Sequence, residues 1–192
     1  MKNQNPLPEI PHFPVMLNEV INICSPANGG LFIDCTFGGG GYSKKILSYS
    51  NTKVIALDRD NFILNFAKQL EKKYPKRLFF HQKKFSDVNV VAGKQFADAI
   101  IFDLGLSSIQ LDNLERGFSF NSKSTLNMSM GLTKYSAEEV INNFSEKTLK
   151  SIIKILGEEK DAAKIAKNII KSRSLKKITK VNHLVSIIKE SK

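Results

Sequence analysis

The decapeptide Asp34-Cys35-Thr36-Phe37-Gly38-Gly39-Gly40-Gly41-Tyr42-Ser43 follows a short apolar run and precedes a helical pattern. Glycines in such a turn let the backbone pass close to a ligand and take up positive φ. In a doubly wound α/β fold, a glycine-rich turn after the first strand is where a nucleotide binds. A dinucleotide fingerprint, G-x-G-x-x-G, would need its third glycine at position 43, where Ser43 stands. The pyrophosphate-binding version is therefore disfavoured. An acid closing the strand, followed by G-x-G-G, suits the positively charged amino acid end of S-adenosylmethionine. A purely structural glycine turn is the alternative.

Two further acids end apolar runs. Asp58 stands 24 residues after Asp34, where an acid accepts hydrogen bonds from ribose hydroxyls in this class of fold. Its competing role is a helix cap, for which Asp60 is better placed. Asp103 closes a later run and is followed by Leu104-Gly105-Leu106-Ser107-Ser108. With strand order 3-2-1-4, Asp103 faces the glycine turn across the crevice at the switch point; otherwise it is a solvated strand-end carboxylate. Phe85 is placed to lie against an adenine face, although phenylalanine is more often core.

The elements that must position these residues are legible as alternating patterns. Leu31–Cys35, Lys53–Leu57, Leu78–Gln82 and Ala97–Asp103 read as buried strands. A short helix is expected near Ser43. A longer one is expected after Asp60, with Phe62, Ile63, Phe66, Ala67 and Leu70 on one face. Such alternation means βαβ units and a parallel sheet. Residues 104–132 have no clear period and read as a functional loop. Ser136 and Glu139 have capping-box spacing. Three apolar stripes follow: Leu149 to Leu156, with Gly157 as a stop, then Ala162 to Ile170, then Val181 to Ile188.

Composition narrows the class. The 192 residues are 42% hydrophobic and 24% charged, and no apolar run reaches the length of a membrane span. Residues 1–15 hold four prolines and no signal-peptide core. Cys24 and Cys35 alone exclude a disulfide framework and a multi-cysteine zinc site. A cytoplasmic protein with no membrane or metal partner is expected. The net charge is +11, and residues 146–192 carry thirteen Lys/Arg against five Asp/Glu. A basic face of this kind points to nucleic acid, against the plainer reading of lysines that merely solvate helices.

With these residues in hand, the chain resembles the bacterial small-subunit (16S) rRNA cytosine-N4 methyltransferases. The resemblance rests on His12-Phe13-Pro14-Val15, the 34–43 turn, Asp58-Arg59-Asp60, the run Asp103 to Asp112, Glu115-Arg116-Gly117-Phe118-Ser119-Phe120, Gly157-Glu158-Glu159, Ile165-Ala166 and Arg173. It implies a Rossmann-like S-adenosylmethionine-dependent methyltransferase sheet, incomplete with four strands, plus an all-helical unit. Residues 1–110 would bind the cofactor; residues 111–192 would form a loop and a helical RNA-binding insert. Gly40, Gly41, Tyr42, Asp58, Phe85, Asp103 and Gln110 would contact S-adenosylmethionine. Asp103, Ser107 and Ser108 would act in catalysis, and Arg116, Lys164, Lys167 and Lys171 would hold phosphates of 16S rRNA in the small ribosomal subunit. No His or Cys nucleophile is needed, so His81 and His183 are expected to be incidental.

Three departures stand against the family pattern. Tyr42 replaces the usual histidine. Leu126-Asn127-Met128-Ser129-Met130 replaces L-D-M-R-M. The chain also stops at Lys192, where family chains return to complete the sheet, so a fragment or split gene is expected. The rival reading is a non-catalytic remnant that still binds RNA and cofactor. A small-molecule methyltransferase has no motif in its favour.

Overall fold

A computed structural model describes residues 14–192; His12 and Phe13 lie outside the described residues. Four parallel strands, β1 (Gly30–Asp34), β2 (Thr52–Asp58), β3 (Leu78–Gln82) and β4 (Ala99–Ile101), form one sheet in the order β3-β2-β1-β4. This is the order on which the placement of Asp103 depends, and it puts the ends of β1 and β4 side by side. The fourth strand is shorter than the sequence pattern implies. Asp98 explains its late start, because its carboxylate accepts from the Leu31 N–H at 2.8 Å and regular pairing begins only at Ala99.

Helices α1 (Leu17–Cys24), α2 (Gly41–Leu47) and α3 (Leu64–Lys73) pack on one face of the sheet. Ile21, Ile46, Leu47, Phe66, Ala67 and Leu70 there meet Phe32, Val54 and Ala56. The opposite face, with Ile33, Ile55 and Leu57, meets the five-residue helix α4 (Val88–Ala92) through Val88, Val91 and Ala92. Asp60 caps as expected, accepting from the Phe62 N–H at 3.1 Å, but the turn it caps is a 3-10 turn leading into α3. Neither α1 nor α4 was legible in the sequence pattern.

The chain divides into two compact units. The first contains residues up to Ile109 together with Met130–Leu132; the second contains Gln110–Ser129 and Thr133–Lys192. In the first unit, Met130–Leu132 returns onto Arg59. The Arg59 guanidinium donates to the Met130 and Leu132 carbonyls at 3.3 and 3.4 Å, and the Leu132 N–H donates to the Arg59 carbonyl at 3.4 Å. Gly131 has φ 51°, and a Cβ there would collide with the Arg59 carbonyl oxygen.

The second unit contains helix α5 (Ser108–Asp112) from Gln110 onward, then α6 (Ala137–Asn143), α7 (Glu146–Leu156), α8 (Ala162–Leu175) and α9 (Val181–Lys189). Its own core is built from Leu126, Leu149, Ile165, Ala166, Ile169, Ile178 and Val181. The Ser136–Glu139 capping box forms in both directions. Helix α7 does end at Gly157, but Gly157 keeps a right-handed conformation and the left-handed residue is Glu158, at φ 51°. Asn142 ties α6 to the segment before α9, accepting from the Ile178 N–H and donating to the Ile178 carbonyl. Among the described residues no helix is long and apolar enough to cross a membrane.

Candidate cofactor site

The glycine turn is held from both sides by strand-end acids. Phe37 donates its N–H to the Leu57 carbonyl at 3.0 Å, which draws the turn across the end of β2. Asp58 then accepts from the Gly38 N–H at 2.8 Å with one oxygen and from the Asp60 N–H at 2.9 Å with the other. Gly40, at φ 68°, opens α2; a Cβ there would sit 2.9 Å from the Phe37 ring. The sequence assigns Asp58 to a ligand, and the structure adds a second task, holding the turn. A carboxylate can accept about four hydrogen bonds, so Asp58 can still take an incoming hydroxyl. Burial raises the Asp58 pKa, partly offset by the Asp60 and Gly38 amides.

Asp34 is more deeply placed than its position in the motif implies. It is fully buried, and its carboxylate accepts from the Ser43 hydroxyl at 2.6 Å and the Thr36 N–H at 3.3 Å. Burial drives its pKa up to about 6 against those two hydrogen bonds, with the negative charges of Asp58 and Asp103 adding to the rise. Asp34 is therefore a positioning residue: it ties the start of α2 to the end of β1. Thr36 extends the network, its hydroxyl oxygen accepting from the Asp103 N–H at 2.7 Å. The ends of β1, β2 and β4 are thus joined within one hydrogen-bonded cluster, and three carboxylates converge beside the turn.

The remaining expected residues are placed as follows. Tyr42 is buried, and its hydroxyl donates to the Val15 carbonyl, so its side chain is spent on the fold while Gly41 and Tyr42 begin α2. Burial raises its pKa, as do the nearby charges of Asp103 and Asp34. Phe85 is half exposed just past β3, its ring edge-on to Phe102 at 6.0 Å. Ser107 and Ser108 are half-buried, four and five residues beyond Asp103. Gln110 and Arg116 belong to the second unit. Arg116 is half-buried, donates to the Ser129 carbonyl at 2.8 Å and lies over the Phe118 ring. Lys164, Lys167 and Lys171 are exposed on α8, at spacings that share one face, opposite buried Ile165, Ala166 and Ile169.

Sequence reasoning missed Thr36, Ser43 and Phe102. Ser43 was legible only as the residue that breaks the dinucleotide fingerprint; Thr36 and Phe102 carry no local signal. Cys35 is buried, and its thiol pKa is pushed up to about 11 by burial and by the Asp34 charge, so it offers no thiolate. Among the described residues no group of His, Cys, Asp and Glu is arranged to hold a metal ion.

Concentrated negative charge beside an open backbone turn suits a cationic ligand. The chain is similar to three proteins named ribosomal RNA small subunit methyltransferase H. It is 43% identical to that of Orientia tsutsugamushi (strain Ikeda) over 94% of this chain and 58% of the relative. For Neorickettsia sennetsu the figures are 41%, 94% and 62%. For Ehrlichia ruminantium (strain Welgevonden) they are 37%, 93% and 61%. The chain thus spans about three-fifths of the length of these curated relatives. The profile of the MraW methylase family matches residues 9–192. A match of that extent takes in both units at once: the chain belongs to the MraW methylase family.

Proposed function

We propose that this chain binds S-adenosylmethionine and serves in methylating the N4 amino group of a cytosine in 16S rRNA of the small ribosomal subunit. The observation that carries the reading is the convergence of Asp34, Asp58 and Asp103 on the glycine turn. The cradle fits the cofactor. Backbone at Gly40 and Gly41 and the N–H of Tyr42 would line the amino acid end, Asp58 would accept from ribose hydroxyls, and Phe85 would lie against the adenine, with Gln110 as a further contact. When bound, S-adenosylmethionine supplies an electrophilic methyl group on a sulfonium.

The chain's own task is then to present a poor nucleophile. A cytosine amine delocalises its lone pair into the ring, so acceptors that draw its hydrogens out of plane raise its reactivity. Asp103, Ser107 and Ser108 supply those acceptors. The base must be unstacked to reach them. Lys164, Lys167 and Lys171 hold phosphates, and Arg116 adds its positive charge. The site of action is the cytoplasm, where ribosomal subunits are assembled.

Two measurements test this reading. Methyl transfer to small subunits that lack the modification is assayed with this chain and with a version extended by a relative's remaining segment. The extended protein should be active and the 192-residue chain weak, because a misplacement of about 1 Å can cost about 100-fold in rate. Transfer by neither protein overturns the enzymatic reading. It would favour the rival, a non-catalytic RNA- and cofactor-binding remnant. Affinity for rRNA fragments should also fall steeply with salt, by about 0.7 to 0.9 in log–log slope per phosphate contact. Reversing the charge of the three lysines together should flatten that slope, and an unchanged slope returns them to a solvated helix face.

A further inference from the structure

Residues 113–126 of the second unit form a loop that is pinned along its length. Asn113 caps a 3-10 turn, Leu114–Arg116, accepting from the Glu115 N–H at 3.2 Å. Gly117, at φ 78°, lets the chain pass Thr125, whose carbonyl oxygen a Cβ would meet at 2.6 Å. A tight turn follows. In it the Ser122 N–H donates to the Ser119 carbonyl at 3.0 Å, and the Asn121 N–H to the Ser119 hydroxyl at 3.3 Å. Ser122 is buried; its hydroxyl donates to the Leu114 carbonyl at 2.5 Å and accepts from the Ser124 N–H at 3.1 Å. The loop ends on the core of its unit, where Leu126 is buried and Thr125 pairs with Lys180 in an antiparallel bridge.

Phe120 stands at the tip of that turn, 81% exposed and outside every hydrophobic cluster among the described residues. Its neighbour Phe118 is different: half-buried, its ring lies beneath the Arg116 guanidinium at 5.1 Å. A lone exposed apolar side chain needs no explanation. Phe120 differs in two ways: a buried serine fixes its backbone, and the segment that carries it has one sign of charge. From Arg116 to Ser129 there are two cations, Arg116 and Lys123, and no acid. Lys123 is exposed, as is Lys180 across the bridge. A rigid ring among cations matches how single strands are held, with bases stacked on aromatic faces and cations on the phosphates. We propose that Phe120 is a stacking platform for an unpaired base of the RNA, with Lys123 and Lys180 meeting the flanking phosphates. This rests on the RNA reading of the proposed function and goes beyond it, because it requires the RNA to be single-stranded at this point. A protein partner fits less well, since one ring offers little of the roughly 800 Å² that a stable interface buries on each side.

The test is independent of cofactor chemistry. The chain contains no tryptophan, so Phe120→Trp installs a sole indole whose emission reports stacking directly. The full chain carrying it is titrated with an unstructured oligoribonucleotide of about twelve residues, within the span such sites cover, and with the duplex of that strand and its complement. We expect the single strand to quench the emission severalfold more than the duplex does. Phe96→Trp, at an exposed position of the first unit, is the control and should show no quenching. By fluorescence anisotropy of a labelled strand, Phe120→Ala should weaken single-strand affinity at least about fivefold, the lower end for one base–aromatic stack, and leave the salt slope unchanged. Phe120→Tyr keeps the ring and should hold the affinity; Phe120→Leu keeps only apolar bulk and should not. Circular dichroism checks the fold, which a change at an exposed turn tip should not disturb. Equal quenching by the two RNAs, equal quenching of the two indoles, or equal affinity of the leucine and tyrosine variants overturns the proposal. So does an unquenched indole on a chain that binds RNA with a steep salt slope, and the RNA reading itself then stands. Absence of RNA binding by the unsubstituted chain overturns both.

Discussion

The β1–β2 side of the sheet and the β4 side are built to different standards. At the ends of β1 and β2 the carboxylates of Asp34 and Asp58 each accept two hydrogen bonds, and the acids and the Ser43 hydroxyl are largely or wholly buried. At β4, pairing spans three residues, and Phe96, Ile100 and Phe102 face outward. The contrast teaches that the glycine turn is fixed by the two strands it lies across: β1 and β2 carry the geometry, and Asp103 is brought to it through Thr36.

The largest effect expected from breaking that contrast is on stability against pH. Asp34 titrates near 4 in the unfolded chain and at about 6 in the fold. The folded state therefore holds this proton more tightly, and stability falls as pH rises from about 4 through about 6, by roughly 3 kcal/mol. The raised pKa of Asp58 acts in the same direction. Urea unfolding between pH 4 and 7 measures the slope, and Asp34→Asn should flatten most of it. An equal slope in the variant would mean that Asp34 is not the group being charged.

Next comes Asp58→Ala, which removes the acceptor for two backbone N–H groups together with the proposed ribose contact. Cofactor affinity should fall by about 1.5–3 kcal/mol, the scale of hydrogen bonds to a charged group. Asp58→Asn, which keeps one acceptor oxygen, should lose less. Calorimetry giving equal affinity for the alanine variant removes Asp58 from the site.

Thr36→Val probes the link between the two sides. It strips the acceptor from the Asp103 N–H and should cost about 1 kcal/mol in denaturant unfolding, recovered by Thr36→Ser. The smallest effect belongs to the open side. Phe96→Ser should change the stability of the 192-residue chain by less than about 0.5 kcal/mol, as for any exposed position. A loss of 2 kcal/mol there would mean that the β4 face is already packed, and the comparison would fail.

What was legible in the sequence follows the same division. The four strands were readable because apolar runs between turn residues are a local signal, and so was the capping box at Ser136; their order, which no local signal carries, entered only as a condition. The length of β4 was not, because Asp98 spends its side chain on Leu31, 67 residues away. Helix α4 was hidden by its five residues, too few to show a period. Asp34, Asp58 and Asp103 stood out as acids at strand ends, but nothing in the sequence says that Asp34 is sealed from solvent while Asp58 keeps some exposure. The return of Met130–Leu132 depends on a glycine meeting a distant carbonyl, which no window of sequence displays.

That return has a consequence in time. Chains emerge from the ribosome at about 5–20 residues per second. Residue 132 follows residue 109 by 23 positions, so it arrives roughly one to five seconds later at those rates. Through that interval β1 to β4 have all been synthesised, but the Arg59 turn beside Asp58 lacks the Gly131 segment that closes on it. The four strands described above thus all exist before the turn beside Asp58 is latched.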